Sequence, residues 1–292
     1  MRTDDGQLYE CRIRGKLRLA GIKSTNPVAV GDRVDFDHDA HHGTVITDIQ
    51  ARRNYIIRRS TNLSKQTHVL AANLDQAVLV ATLFYPKVSL GFIDRFLVTA
   101  EAYQIPCCVV FNKADMWQDE AVRAVYEEYK AIYENAGYAV YHCSTLTGEG
   151  IAEIKTLFTD KTTLISGFSG VGKSTLLNTM YPELELKTGT LSDFSQKGKH
   201  TTTFAEMFEP ISGTRIIDTP GIKELGVIEL EGAEISHFFP EMKVLLANCK
   251  FHNCTHQHEP GCAVKAAVDA ETLPYDRYKS YLSILNNEDQ YN

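Results

Sequence analysis

At 292 residues, with 43% hydrophobic and 23% charged residues, the chain is long enough for two or three domains and has the composition of an ordinary soluble globular protein; its seven cysteines, an odd number, argue against a disulfide framework. No stretch approaches the apolar length needed to cross a bilayer, and the polar, acidic start MRTDDGQLYE is unlike a secretory leader, so no membrane partner and a cytoplasmic location are expected. The net charge of −7 is unevenly divided: residues 1–70 carry 12 Lys/Arg against 8 Asp/Glu, the remainder 18 against 29, so the basic head is the part expected to meet a polyanion such as nucleic acid.

From Gln7 to Ser60 short alternating runs, LYECRIRGKLRL, AVGDRVDFD, GTVITDIQ and NYIIRRS, are separated by turn signals. Four or five short strands in about 60 residues predict a small closed β-barrel of the oligonucleotide-binding (OB) type. Arg12, Arg14, Lys16, Arg18, Arg52, Arg53, Arg58 and Arg59 are expected to line it, with Tyr9, Phe36 and Tyr55 as candidate stacking platforms for bases. Residues 61–74 have no strong period and read as a connection between domains.

Strands then alternate with helices. DQAVLVATL (75–83) reads as a buried parallel strand, 90–104 as a helix, CCVVFN (107–112) as a strand, 119–137 as a helix, AVYHCS (139–144) as a strand and about 150–158 as a helix. Strands separated by single helices imply a parallel sheet with right-handed crossovers and ligands at the strands' carboxyl ends.

The chemistry-bearing motifs sit at those ends. Asn112-Lys113-Ala114-Asp115 is N-K-x-D, in which an Asp carboxylate accepts from the guanine ring N1–H and exocyclic amine while the Lys stem lies along the base; Ser144-Thr145 matches the accessory motif that supports it. After the strand Thr163-Leu164-Ile165 comes Gly167-Phe168-Ser169-Gly170-Val171-Gly172-Lys173-Ser174, which fits G-x-x-x-x-G-K-[ST] and is followed by Thr175 and a helix. Such a loop wraps phosphates with backbone N–H groups; Lys173 is expected to reach the β- and γ-phosphates and Ser174 to ligate the Mg²⁺ bound with the nucleotide. Thr201 or Thr202 can add a second hydroxyl to that metal. Asp218-Thr219-Pro220-Gly221 matches D-x-x-G, with Asp218 on Mg²⁺ through water and Gly221 at the γ-phosphate. Where many such proteins carry a water-orienting Gln after this motif, Ile222 stands, so another group must act; His200, just before the Thr run, is the nearest candidate.

Cys249, Cys254 and Cys262 cluster with histidines in CKFHNCTHQHEPGC. With His256 they form a Cys₃His set of the kind that holds structural zinc with no position left for water, and His252 and His258 are rival ligands. Cys11, Cys107, Cys108 and Cys143 lie on predicted strands and read as core.

The guanine motif and Ser144 precede the phosphate loop, the reverse of the usual order, which marks a circular permutation. This order, with a basic β-barrel in front and a cysteine cluster behind, closely resembles the RsgA/YjeQ family of bacterial ribosome-biogenesis GTPases over nearly the whole chain. The resemblance implies a multidomain fold: an OB-fold RNA-binding domain (1–68), a circularly permuted α/β P-loop GTPase domain (69–226) with a mostly parallel sheet, and a zinc-binding helical domain (227–292). It selects His256 as the fourth zinc ligand, one ion per chain, and also points to His200 as the catalytic histidine. It implies GTP and GDP as ligands, docking of a monomer on the small ribosomal subunit and its rRNA, and hydrolysis stimulated by that subunit during late maturation. The alternative reading is a GTP-gated RNA- or protein-binding switch in which hydrolysis is incidental; a P-loop nucleotide kinase is disfavoured because N-K-x-D and D-x-x-G have no task in one.

Overall fold

The computed structural model describes residues 1–14, 27–39, 43–59, 67–187, 205–218, 232, 234–286 and 288. Its strands are β1 (Cys11–Ile13), β2 (Val34–Asp39), β3 (Gly43–Ile49), β4 (Tyr55–Arg59), β5 (Thr67–Ala72), β6 (Gln76–Ala81), β7 (Cys107–Phe111), β8 (Ala139–His142), β9 (Thr162–Ser166), β10 (Glu206–Ile211) and β11 (Thr214–Asp218). Its helices are α1 (Leu90–Ala102), α2 (Glu120–Asn135), α3 (Ile151–Phe158), α4 (Lys173–Met180), α5 (Pro240–Lys243), α6 (Ala263–Asp269) and α7 (Tyr275–Leu285).

The central sheet has the order β10-β11-β9-β6-β7-β8. Its pairs β11·β9, β9·β6, β6·β7 and β7·β8 are parallel, and β10 closes one edge as an antiparallel hairpin partner of β11. Every residue of β6 and β9 is buried, as expected of central parallel strands covered on both faces. Helix starts follow local chemistry: the Ser89 hydroxyl accepts from the Phe92 amide to cap α1, and the Asp119 carboxylate accepts from the Ala121 amide at 2.9 Å to cap α2. Because the pairs from β11 to β8 are parallel, the loops leaving β6, β7, β8, β9 and β11 emerge along one sheet edge.

In the head, β1, β3 and β2 form a three-stranded sheet in that order, β1 parallel and β2 antiparallel to β3. Lys16 and Arg18 lie outside the described residues. Over Thr67–Ala72 the reading of 61–74 as a connection is corrected: this segment is β5, antiparallel to β4. Its register with β4 supplies the hydrogen bonds that its own sequence period does not announce, and Ile56 and Ala71 of the pair join the apolar core of the large sheet.

Three candidate nucleic-acid contacts have partners within the chain. Arg52 is buried in a two-pronged ion pair with Asp32, at 2.6 and 2.7 Å, and Arg53 pairs with Asp75 at 2.7 Å while donating to the Leu74 carbonyl. Tyr55 packs on Tyr103 at the end of α1, ring centroids 5.4 Å apart. Arg12 and Arg14 are exposed, and Tyr9 lies beside Phe36 and His38 at 6.2 and 5.1 Å, with Phe36 exposed.

The C-terminal module has its own core of Ile235, Phe239, Met242, Val264, Leu273, Tyr278, Tyr281 and Ile284, into which Val98 of α1 also packs. Among the described residues no helix is long and apolar enough to cross a membrane.

Candidate nucleotide site and metal centre

The phosphate loop runs from the end of β9 to the first turn of α4, and two of its glycines are there because nothing larger fits. Gly167 has φ 150°, and a Cβ on it would stand 2.2 Å from the Val80 carbonyl oxygen of β6; Gly172 has φ 94°, and its Cβ would stand 2.5 Å from Asn112 Nδ2. The Lys173 ammonium folds back over the loop and donates to the carbonyls of Gly167 at 2.7 Å and Phe168 at 3.0 Å. Burial lowers the pKa of Lys173, and Asp218 opposes that shift. Ser169 and Thr175 are exposed, Ser174 is half-buried, and Val171 is fully buried.

The N-K-x-D segment is fastened to this loop. Asn112, buried at the end of β7, donates from Nδ2 to the Val171 carbonyl at 2.9 Å. Lys113, with φ 67°, donates from Nζ to the carbonyls of Gly170 at 2.8 Å and Tyr85 at 2.5 Å. Burial lowers the Lys113 pKa, with Asp115 opposing. The Asp115 carboxylate accepts from the fully buried Ser144 hydroxyl at 2.5 Å, and that hydroxyl in turn accepts from the amides of Leu146 and Thr147 at 3.2 and 3.1 Å. This chain of bonds fixes one carboxylate oxygen and with it the orientation of the group.

Residues 112–115, 144 and 167–175, which the sequence separates, are therefore brought together. Asp218 joins them because β11 pairs with β9 in a register that sets it opposite Ile165. His200, Thr201, Thr202, Gly221 and Ile222 lie outside the described residues. Sequence reasoning missed Tyr85, whose carbonyl takes the Lys113 ammonium, and Phe92, whose ring lies 4.4 Å from that of Phe168. The rule that ligands gather beyond the carboxyl ends of parallel strands pointed to the loop after β6, which holds Tyr85; no sequence period marks the second contact.

In the C-terminal module, one donor atom each from Cys249, Cys254, His256 and Cys262 lies within 4.8 Å of the others. His256 Nδ1 faces Cys262 Sγ at 3.3 Å and Cys249 Sγ at 3.7 Å, while its Nε2 is buried without a hydrogen-bond partner. His252 and His258 are exposed and stand outside the group. The loop is held in shape by α7: the Tyr278 hydroxyl donates to the His256 carbonyl at 2.6 Å and that of Tyr281 to the Thr255 carbonyl at 2.8 Å. A tetrahedral ion with bonds of about 2.0–2.3 Å needs donors roughly 3.3–3.8 Å apart, and the two His256 Nδ1 to Sγ distances of 3.3 and 3.7 Å match this. Burial, joined by the neighbouring Cys262 and Cys249, pushes the Cys254 thiol up to about 12, so three converging thiolates require a cation beside them. The group can hold a metal ion, with Nδ1 as the imidazole donor.

Comparison with known proteins places the chain among proteins with this arrangement. The family model "RsgA GTPase" matches residues 49–228, and "RsgA N-terminal domain" matches residues 3–46. The small ribosomal subunit biogenesis GTPase RsgA of Bacteroides fragilis is 51% identical over 99% of this chain and 93% of its own length. That of Flavobacterium psychrophilum is 50% identical over 98% of this chain and 88% of its own. Among solved structures, YjeQ from Thermotoga maritima superposes with a TM-score of 0.77 at 33% identity, covering 98% of this chain and 92% of its own. YloQ, a circularly permuted GTPase, gives 0.73 at 31% identity, covering 99% and 89%.

Proposed function

The chain belongs to the RsgA GTPase family, and on that premise we propose that it hydrolyses GTP while assisting late maturation of the small ribosomal subunit in the cytoplasm. The observation that carries this reading is the bonding of Asn112 and Lys113 to the Val171 and Gly170 carbonyls, which fastens the N-K-x-D segment carrying Asp115 to the glycine loop. Asp115, supported by Ser144, reads the base; residues 167–175 hold the phosphates, and Gly221 meets the γ-phosphate. Ser174, Asp218 and Thr201 or Thr202 would hold Mg²⁺, which neutralises charge on the phosphates when bound. His200 orients the attacking water in place of the glutamine that Ile222 replaces.

The division into 1–68, 69–226 and 227–292 is retained as a reading of the parts, although its first boundary runs through the β4–β5 pair. The head and the C-terminal module dock a monomer on the subunit's rRNA, the head through the exposed face of Tyr9, Arg12, Arg14 and Phe36 rather than through Arg52 and Arg53. Zinc at Cys249, Cys254, His256 and Cys262 gives that module its fold. The test is GTP turnover by the purified protein with and without purified small subunits: stimulation by the subunit is expected. Equal turnover in both would favour the switch in which hydrolysis is incidental.

A further inference from the structure

Helix α1 is shared by the phosphate loop and the metal-binding module. In its first turn, Phe92 lies ring to ring with Phe168 at 4.4 Å, and it is the Phe168 carbonyl that takes the Lys173 ammonium at 3.0 Å. Two residues later the fully buried carboxylate of Asp94 accepts from Arg277 Nη1 of α7 at 2.6 Å, and one turn beyond, Val98 packs in the module's core. Arg277 is 1% exposed. Its Nε and Nη2 donate to the two oxygens of Glu241 at 2.6 and 3.1 Å, and its guanidinium carbon stands 4.7 Å from the Phe239 ring centre. From the same helix, Tyr278 and Tyr281 hold the His256 and Thr255 carbonyls. Near the C-terminus, Arg95 donates to the Glu288 carbonyl at 3.2 Å.

Burial works against the charge of Arg277, but Asp94 and Glu241 outweigh it and raise its pKa, so the guanidinium stays charged. An ion pair sunk this deep gains little net stability, because desolvation offsets most of the attraction. What it does supply is direction: the planar fork donates to its two carboxylates in one arrangement of α7, α5 and α1.

We propose that Arg277 is a positioning residue for the phosphate loop, acting through Asp94 and α1 to hold Phe92 against Phe168, so that the cysteine module and the nucleotide loop are mechanically coupled. The proposal rests on the reading of residues 167–175 as the phosphate site and goes beyond it by naming what sets that loop from outside. A macromolecule that moves the cysteine module then changes the grip on nucleotide without touching it.

The test is the release rate of a fluorescent GDP analogue from the full-length parent, from Arg277→Lys, which keeps the charge and loses the fork, from Phe92→Leu, which keeps the ion pair and loses the ring, and from the double variant. Each single change is expected to speed release by about 3–10-fold, the scale on which remote packed residues alter coupling between sites. The double variant should release no faster than the faster single one, since both act on the same ring contact. Zinc content should stay at its parental value throughout. If Arg277→Lys proves unfolded, Asp94→Asn, which removes the same charge pair from the other side, takes its place in the cycle. Unchanged release in the Arg277 or Asp94 variant, or single effects that multiply in the double, overturns the proposal. Absence of guanine-nucleotide binding by the parent is a separate outcome, which removes the site reading and the proposal with it.

Discussion

The N-K-x-D loops and the cysteine cluster are both polar centres built on loops, and they differ in what holds them. Around Asp115 the chain binds itself: Ser144 donates to the carboxylate, two amides donate to Ser144, and Asn112 and Lys113 clasp the phosphate loop. At the cysteine cluster the donor atoms converge on one another, His256 Nδ1 lying 3.3 and 3.7 Å from Cys262 and Cys249 Sγ, with one further bond from the Lys265 amide to Cys262 Sγ, and His256 Nε2 is buried without a partner. The first centre is held by the chain's own hydrogen bonds; the second concentrates groups whose charged forms repel unless a cation lies among them. A site of the first kind loses affinity when a residue is removed, whereas one of the second kind loses its fold.

The largest effect should therefore come from Cys254→Ala. Structural zinc contributes about 10–16 kcal/mol to small modules at neutral pH, so the variant is expected to lose its metal and the order of residues 249–285, seen as lost zinc and lost amide protection there. Its GDP affinity should change by less than about tenfold, the scale of coupling carried through α1. The same contrast predicts a pH signature. Because burial and the neighbouring thiols push the Cys254 thiol up to about 12, zinc must displace protons to bind, and apparent zinc affinity should rise with pH across the neutral range. Competition with a chelator at several pH values checks this trend.

On the guanine side, Asp115→Asn removes two charge-assisted hydrogen bonds of about 1.5–3 kcal/mol each, which should weaken GTP by about 10²–10⁴-fold and favour xanthosine nucleotides. Calorimetric titration with both nucleotides measures this, and equal binding of ATP and GTP by the parent would end the guanine assignment. Turnover is expected to separate from binding at His200: His200→Ala should lower subunit-stimulated hydrolysis by about 10²–10⁴-fold with GTP affinity nearly unchanged. Stimulated turnover that survives the change would assign the water to another group.

A smaller effect, about 5–15-fold in GTP affinity, is expected for Ser144→Ala, because the Asp115 carboxylate loses its internal donor but keeps the base. The smallest belongs to the head. Arg12→Ala and Arg14→Ala should each reduce the salt dependence of subunit binding by about one unit in the log–log slope. Arg52→Ala, in contrast, should lower the melting temperature, since it strands the buried Asp32. If Arg52 and Arg12 variants behave alike, the division of the head's arginines fails.

What the sequence determined by itself was chemistry that depends on neighbours in the chain. Glycines at 167 and 172 beside Lys173 and Ser174, the run Asn112 to Asp115, and cysteines at 249, 254 and 262 each imply a function because one loop needs those residue types at that spacing. The strand and helix alternation from residue 75 was legible for the same reason, since buried parallel strands and amphipathic helices have local periods. Tertiary structure decided whatever required a distant partner. THVLAA becomes a strand because β4 lies alongside it; Arg52 is spent on Asp32 and Tyr55 on Tyr103; and His256, rather than His252 or His258, turns inward because Tyr278 and Tyr281 of α7 hold its loop. The Arg277–Asp94 pair joins positions 183 residues apart. No period or spacing encodes such a contact, because it exists only after α1 and α7 have packed and excluded the water that would otherwise solvate both charges.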